Sequence, residues 1–323
     1  MTVCIAAIGT WTPPPPSPPE PVVILAADRM ITVKDVREYE LWDQTKTFEL
    51  TTHIRVLMSG SVEPLLEICR DVRSRMEAGG ITGVQAAAKM IASEFSAIRA
   101  QRNERRVLAP YGLTFDTFHS RQKQFSTDFI EQIHTDLADW RHADLGGTAL
   151  VAGVDDSGGH IYLIDDPGQE ECCDAAGFAA IGIGTDHAEA EFMAARYTQN
   201  WMWTHGLVLS YAAKKRAEVA PGVGWATDLY YITKAAGTIY FEPNSPLQVF
   251  LAGVYRDRQI AELDALFADH KKLLDWMADN ATKEAAAAPK ETAQAAVKAI
   301  QSGATPTDAE GVPDGPKESE PQD

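Results

Sequence analysis

Two short apolar runs, Val3-Cys4-Ile5-Ala6-Ala7-Ile8 and Val22-Val23-Ile24-Leu25-Ala26-Ala27, stand near the start of the chain, and the polar pair Asp28-Arg29 closes the second. Each reads as a strand, and two strands joined by a loop form a hairpin, so the fold is expected to begin on a β-sheet. Between them, residues 10–21 read Thr-Trp-Thr-Pro-Pro-Pro-Pro-Ser-Pro-Pro-Glu-Pro. Proline has no ladder donor, so this segment is expected to leave the sheet as a stiff polyproline II excursion at the hairpin tip. A solvated loop elaboration is expected there in preference to a ligand for an SH3-like domain.

Behind the hairpin, 323 residues are enough to bury a full core as one large domain or two. The net charge of −17 argues against nucleic acid or an anionic membrane as partner, because phosphate binding needs clustered Lys and Arg. Cys4, Cys69, Cys172 and Cys173 have neither metal-type spacing nor a disulfide framework, which points to a reducing cytoplasm. With no run of about 18 apolar residues and no charged start leading into an apolar core, neither a membrane span nor export is expected. No cofactor or metal is expected either.

Hydrophobic spacing places a helix over residues 61–79, with Val62, Leu65, Leu66, Cys69, Val72 and Met76 on one stripe and Gly79-Gly80 ending it. A second helix runs from Thr82, with Val84, Ala87, Ala88, Ile91, Phe95 and Ile98 at helical spacing. Residues 101–144 carry a turn around Pro110-Tyr111-Gly112-Leu113 and a helix over 127–140 with Phe129, Ile133, Leu137 and Trp140 inward. They read as an extra helical arm, with Arg99, Arg102, Arg105 and Arg106 clustered at its start. Strands at 148–153 and 160–164 flank the turn Asp156-Ser157-Gly158-Gly159. Helices at 185–202 and 207–219 then precede strands at 228–233 and 238–241. Residues 257–277 form a further amphipathic helix, and residues 280–323, poor in large apolar side chains, are expected to be disordered. Pattern alone supports a mixed α and β fold.

Thr2 directly follows the initiator methionine, and methionine trimming favours small second residues. Trimming would give one residue both a hydroxyl nucleophile and, in its α-amine with a pKa of about 7.7–8.0, a general base.

The segments after Thr2 resemble a known arrangement. An N-terminal Thr strand is succeeded by the Leu25-Ala26-Ala27-Asp28 strand, by Lys46-Thr47-Phe48, and by a strand ending in Ser59-Gly60-Ser61. The order is similar to that of proteasome β-subunits and their bacterial relatives, which are N-terminal nucleophile (Ntn) hydrolases. The resemblance resumes at 147–155 with 161–165 and at 177–185, so it covers about residues 2–100 and 146–240. It implies a four-layer αββα sandwich over residues 2–279, with residues 101–144 as a helical insertion. It further implies a threonine-type endopeptidase that forms stacked homo-oligomeric rings in the cytoplasm, takes polypeptide substrates, and has an ATP-dependent unfoldase as an added partner.

The same resemblance assigns residues. Thr2 is the nucleophile, Asp28 orients Lys46, and the Lys46 ammonium lowers the cost of alkoxide formation and steers the proton toward the α-amine. Gly60 matches the glycine whose N–H forms the oxyanion hole. Thr32 matches a position lining the substrate cleft, and Met30 stands where relatives often carry a basic residue. Gly182-Ile183-Gly184-Thr185 matches a Gly-Ser-Gly-Ser segment, with Ile183 in place of the serine that supplies a hydroxyl. Relatives carry Asp-x-x-Ser-Gly-Gly where this chain reads 217–224, so the Asp and Ser are absent in register, with Glu218 one position away and Thr227-Asp228 a short loop beyond. Two alternatives stand beside the peptidase: a small-molecule Ntn amidase, and a catalytically silent assembly protein of the kind proteasome α-subunits represent.

Overall fold

The structure is a computed structural model that describes residues 2–13, 18–33, 37–40, 45–141, 147–165 and 168–287. In chain order it contains β1 (Cys4–Trp11), β2 (Glu20–Asp28), β3 (Met30–Val33), β4 (Arg37–Glu40), β5 (Thr47–Thr51) and β6 (Ile54–Gly60). Helices α1 (Val62–Gly79), α2 (Val84–Asn103), α3 (Phe115–Ser120) and α4 (Thr127–Arg141) come next. Then come β7 (Gly147–Val154), β8 (Gly159–Ile164), β9 (Glu170–Cys172) and β10 (Phe178–Ile181), and after them α5 (Thr185–Ala194), α6 (Trp203–Ala217), β11 (Thr227–Thr233), β12 (Gly237–Phe241) and α7 (Pro246–Ala287). The chain divides into two units, residues 1–253 and 254–323, and α7 runs across the boundary.

The first unit holds a mixed α and β fold with two five-stranded antiparallel sheets, ordered β10-β1-β2-β11-β12 and β5-β6-β7-β8-β9, and the small hairpin β3-β4. Strand alternation explains how the sheets share a core. Cys4, Ala6 and Ile8 of β1 and Val23, Leu25 and Ala27 of β2 cluster with Leu57, Leu150, Ala152 and Ile161 of the other sheet. Ile5, Ala7, Ile24 and Ala26 point the other way and are also fully buried, because α6 packs against β1 and β2. This is why both runs are apolar without alternation. The opposite face of the second sheet is covered by α1 and α2, whose Leu65, Val72, Met76, Ala88, Ile91 and Phe95 join Val56, Met58, Val151 and Ile164 in another core.

Residues 101–141 form a satellite. A π-helical turn at Glu104–Leu108 ends α2, and Val107, Leu108, Leu113, Phe118 and Ile133 make a small core of their own. The expected helix over 127–140 is α4. Phe129 and Leu137 pack against that core, while the side chain of Trp140 lies outside the described residues.

The helix expected over 207–219 is α6, four residues earlier at its start and two at its end, and three larger departures from expectation follow. First, residues 10, 11, 20 and 21 stay in the sheet, with Thr10 opposite Pro21 and Trp11 opposite Glu20. The Thr10 N–H turns away to Trp201 O, so Thr10 and Pro21 form a non-hydrogen-bonded pair that needs no donor from proline. The centre of the proline run, residues 14–17, lies outside the described residues. Second, the helix expected over 185–202 ends at Ala194, because Arg196 takes φ 53° and Tyr197 N–H closes back onto Phe192 O. The chain then turns so that Tyr197 Oη donates to Ile8 O at 2.7 Å. Third, the helix expected over 257–277 begins at Pro246 and runs to Ala287. Proline is favoured at a first helical position, and the alanine-rich continuation has the highest helix propensity. The expected disorder of 280–323 therefore fails for residues 280–287, and residues 288–323 lie outside the described residues. No described helix is long and apolar enough to cross a membrane.

Candidate active site

Sheet register brings Thr2 to Asp28. β1 and β2 are antiparallel with Cys4 opposite Ala27, and the ladder continues through Asp28 N–H to Val3 O at 3.2 Å. The last residue of β2 therefore lies beside the residues that precede β1. Lys46 arrives from the other sheet, just ahead of β5. Met58 of β6 donates its N–H to Lys46 O at 2.9 Å and accepts from Cys4 Sγ at 3.5 Å, which seats Lys46 across Met58 from β1.

The three side chains meet in a buried site. Thr2 is 1% exposed, Asp28 0% and Lys46 7%. Lys46 Nζ donates to Thr2 Oγ1 at 2.5 Å and lies 3.0 Å from each Asp28 carboxylate oxygen. Thr2 Oγ1 donates in turn to Asp28 Oδ1. The carboxylate also accepts three backbone N–H groups, from Val3 to Oδ1 at 2.9 Å and from Met30 and Gly224 to Oδ2 at 3.0 Å each. A buried ion pair is tolerable when its remaining lone pairs are satisfied in this way. The product is a hydroxyl whose oxygen faces a cation, an arrangement that stabilises developing negative charge on Oγ1.

Neighbouring groups hold the trio in place. Arg29 points away from the site into a fork with Asp228, its Nε 3.0 Å from both oxygens and its Nη2 2.6 Å from Oδ1, and Nη2 also donates to Tyr240 Oη at 2.6 Å. This pair locks the exit of β2 to β11 immediately behind Asp28. On the other side, Gly184 N–H donates to Thr2 O at 3.3 Å, and a Cβ on Gly182 would come within 2.8 Å of Thr2 Cγ2. With φ at 99°, position 182 requires glycine on both counts. The Cys4 thiol, buried under Thr2, is pushed up to about 12 by burial and stays protonated.

The other expected site residues are distributed around this centre. Gly60 stands exposed at the end of β6, two residues beyond Met58. Met30 contributes its backbone N–H to Asp28. Thr32 lies in β3 opposite Glu38, and its side chain is outside the described residues. Thr185 heads α5, and its hydroxyl donates to Gly182 O at 2.7 Å, one residue removed from Thr2. Ile183 is 49% exposed. Glu218 binds the ammonium groups of Lys214 at 2.5 Å and Lys215 at 2.8 Å.

Sequence reasoning missed Gly224, Lys214 and Glu40. Lys214 is 0% exposed, and a signal for this exists: it continues the helical stripe of Leu207 and Tyr211, both buried. Gly224 and Glu40 reach the site from loops and a hairpin, where periodicity is silent. Among the described residues, no group of three or more His, Cys, Asp or Glu side chains is placed to hold a metal ion. A comparison with models of known protein families finds no match, and a search of curated proteins finds none.

Proposed function

We propose that the chain is an N-terminal threonine peptidase built on a four-layer αββα sandwich of the proteasome β-subunit type. The observation that carries this reading is the 2.5 Å contact of Lys46 Nζ with Thr2 Oγ1, bridged on both sides by Asp28. Removal of Met1 frees the Thr2 α-amine, which takes the Oγ1 proton while Lys46 stabilises the alkoxide. Oγ1 attacks the substrate carbonyl, Gly60 N–H receives the oxyanion, and the leaving amine departs with the proton. Water then hydrolyses the acyl ester and restores the hydroxyl. The packing of α1 and α2 on one sheet and α6 on the other, around one shared core, supports the layered fold.

A nucleophile of this kind endangers other proteins unless enclosed, and identical heterologous contacts close a ring. The chain therefore assembles as a homo-oligomeric ring, acts on unfolded polypeptide, and receives it from an ATP-dependent unfoldase. All four cysteines are free, in keeping with a cytoplasmic site of action. A catalytically silent assembly protein is the second reading, and the exposed Ile183 in place of a hydroxyl favours it.

The test is peptide turnover by wild type and Thr2→Ala, with light scattering on both. Loss of turnover with a retained mass of many subunits is expected. Residual activity above a tenth of wild type would point to another nucleophile. A clean monomer near 35 kDa would leave the small-molecule amidase as the better reading.

A further inference from the structure

Gly224 is buried in the turn between α6 and β11, whose Pro221 and Trp225 are exposed, and its N–H is one of the three backbone donors on Asp28. Within the turn Pro221-Gly222-Val223-Gly224-Trp225-Ala226 itself, Val223 N–H closes back onto Ala220 O at 3.2 Å, one residue ahead of that amide. The structure supplies three charged groups that hold the peptide groups beyond it. From α6, the Lys214 ammonium donates to Gly224 O at 2.7 Å and to Trp225 O at 2.8 Å, with Glu218 as its counter-ion, and the Lys215 ammonium adds a longer contact to Trp225 O at 3.3 Å. From β4, the Glu40 carboxylate accepts from Trp225 N–H at 2.5 Å and from Ala226 N–H at 2.9 Å. The peptide groups of residues 224–226 are thus gripped at their carbonyls by cations and at their amides by an anion. A side chain at 224 would collide with Glu40 and come within 3.0 Å of Met30 Cβ, so only glycine lets the turn close against β3 and β4.

We propose that Lys214 and Glu40 are positioning residues, which clamp residues 224–226 so that the Gly224 N–H fixes the Asp28 carboxylate beneath Lys46 and Thr2. The inference rests on the reading of Thr2 as nucleophile and adds to it a part that acts only through Asp28. Neither residue touches Thr2. Without the Gly224 N–H, Asp28 keeps its bonds to Val3, Met30, Thr2 and Lys46, so the expected effect is a shift of the carboxylate and of the groups it orients; a misplacement of about 1 Å costs on the order of 100-fold in rate.

The test uses the full chain in wild-type, Lys214→Met, Glu40→Ala and Glu40→Gln forms, with two readouts. One is hydrogen–deuterium exchange of the amides in residues 222–228. The other is covalent capture of Thr2 by a peptide epoxyketone, monitored by intact mass and resolved into a binding constant and a maximal capture rate. Lys214→Met and Glu40→Ala should exchange at least about 10-fold faster in that segment and be captured about 10- to 100-fold more slowly, with the binding constant kept. Glu40→Gln, which keeps an acceptor oxygen, should recover slow exchange and most of the capture rate. Faster exchange with an unaltered capture rate would overturn the positioning role, and unaltered exchange in both loss variants would overturn the clamp itself. If Lys214→Met does not fold, Glu40→Ala decides, since Glu40 is only half-buried. If wild type is not captured at Thr2, the nucleophile reading fails and takes the positioning role with it, while the exchange data still decide whether the clamp exists.

Discussion

Replacing Lys214 with methionine is expected to remove a pH dependence of stability that the wild-type chain carries. Burial pushes the Lys214 ammonium down from 10.5 to about 8, against the opposing pull of Glu218 and Asp28 and with a smaller push from Lys215. A lysine depressed in the folded state binds its proton less tightly there than in the unfolded chain. Between about 8 and 10.5 the unfolded state therefore holds more protons, and stability rises with pH across that window. Below 8 both states are protonated, and the folded state carries the whole cost of the buried ammonium. Integrating the difference from pH 7 to 9.5 gives a gain of about 2 kcal/mol from this one group. Tyr197, Tyr211, Tyr230 and Tyr240 are all pushed up by burial and act in the opposite sense at the alkaline end, but both proteins contain them and they cancel in the difference. Urea unfolding of wild type and Lys214→Met at half-unit intervals, at one protein concentration, reads the effect as wild type minus variant. That difference should move in favour of wild type by about 2 kcal/mol between pH 7 and 9.5. A flat difference would mean that Lys214 holds its proton throughout and that the desolvation argument is wrong.

Single contacts carry the other expectations. Asp28→Ala strands the Lys46 ammonium in a site where Lys46 is 7% exposed, and should cost about 3–5 kcal/mol by thermal or urea unfolding; adding Lys46→Met should return part of that loss, and strict additivity would refute the coupling. Gly182→Ala combines a φ of 99° with collision against Thr2, and should cost at least about 1–3 kcal/mol; an unshifted melting point would show that Thr2 does not pack there. Burial pushes Cys4 and Cys69 up to about 12 and Cys173 up to about 11, while Cys172 is exposed. Iodoacetamide at pH 8 should therefore alkylate native protein at Cys172 first, and rapid labelling of Cys4 in the folded chain would contradict its burial beneath Thr2.

The strands and the α1–α2 pair are legible in the sequence because their apolar spacing reports burial directly. Leu65, Val72 and Met76 mark one helical face, and the unbroken runs 3–8 and 22–27 mark strands covered on both sides. Where boundaries depart from the pattern, a local conformation decides the outcome: Arg196 at positive φ stops α5, and Pro21 sits at a ladder position that asks for no donor. Thr2, Asp28 and Lys46 can be nominated only because their order along the chain resembles that of a known family, and the structure brings those three side chains together. The helical stripe of Leu207 and Tyr211 marks Lys214 as buried, but neither its role nor that of Glu40 can be read from spacing, because the backbone atoms of the 224–226 turn that they bind lie 10 or more residues away in sequence. Thr185 illustrates the reverse case. The resemblance sets the hydroxyl of this segment at the position that Ile183 occupies, and the hydroxyl that Thr185 does supply closes the turn at Gly182.

The most direct test of the Thr2 site is the intact mass of the purified chain before and after reaction with a peptide epoxyketone, with the adduct mapped by peptide sequencing. Loss of Met1 and then a single adduct on Thr2, absent from Thr2→Ala and strongly slowed in Lys46→Ala, is the expected result. Retained Met1 with no adduct, or an adduct on any other residue, would contradict the assignment of Thr2 as the nucleophile.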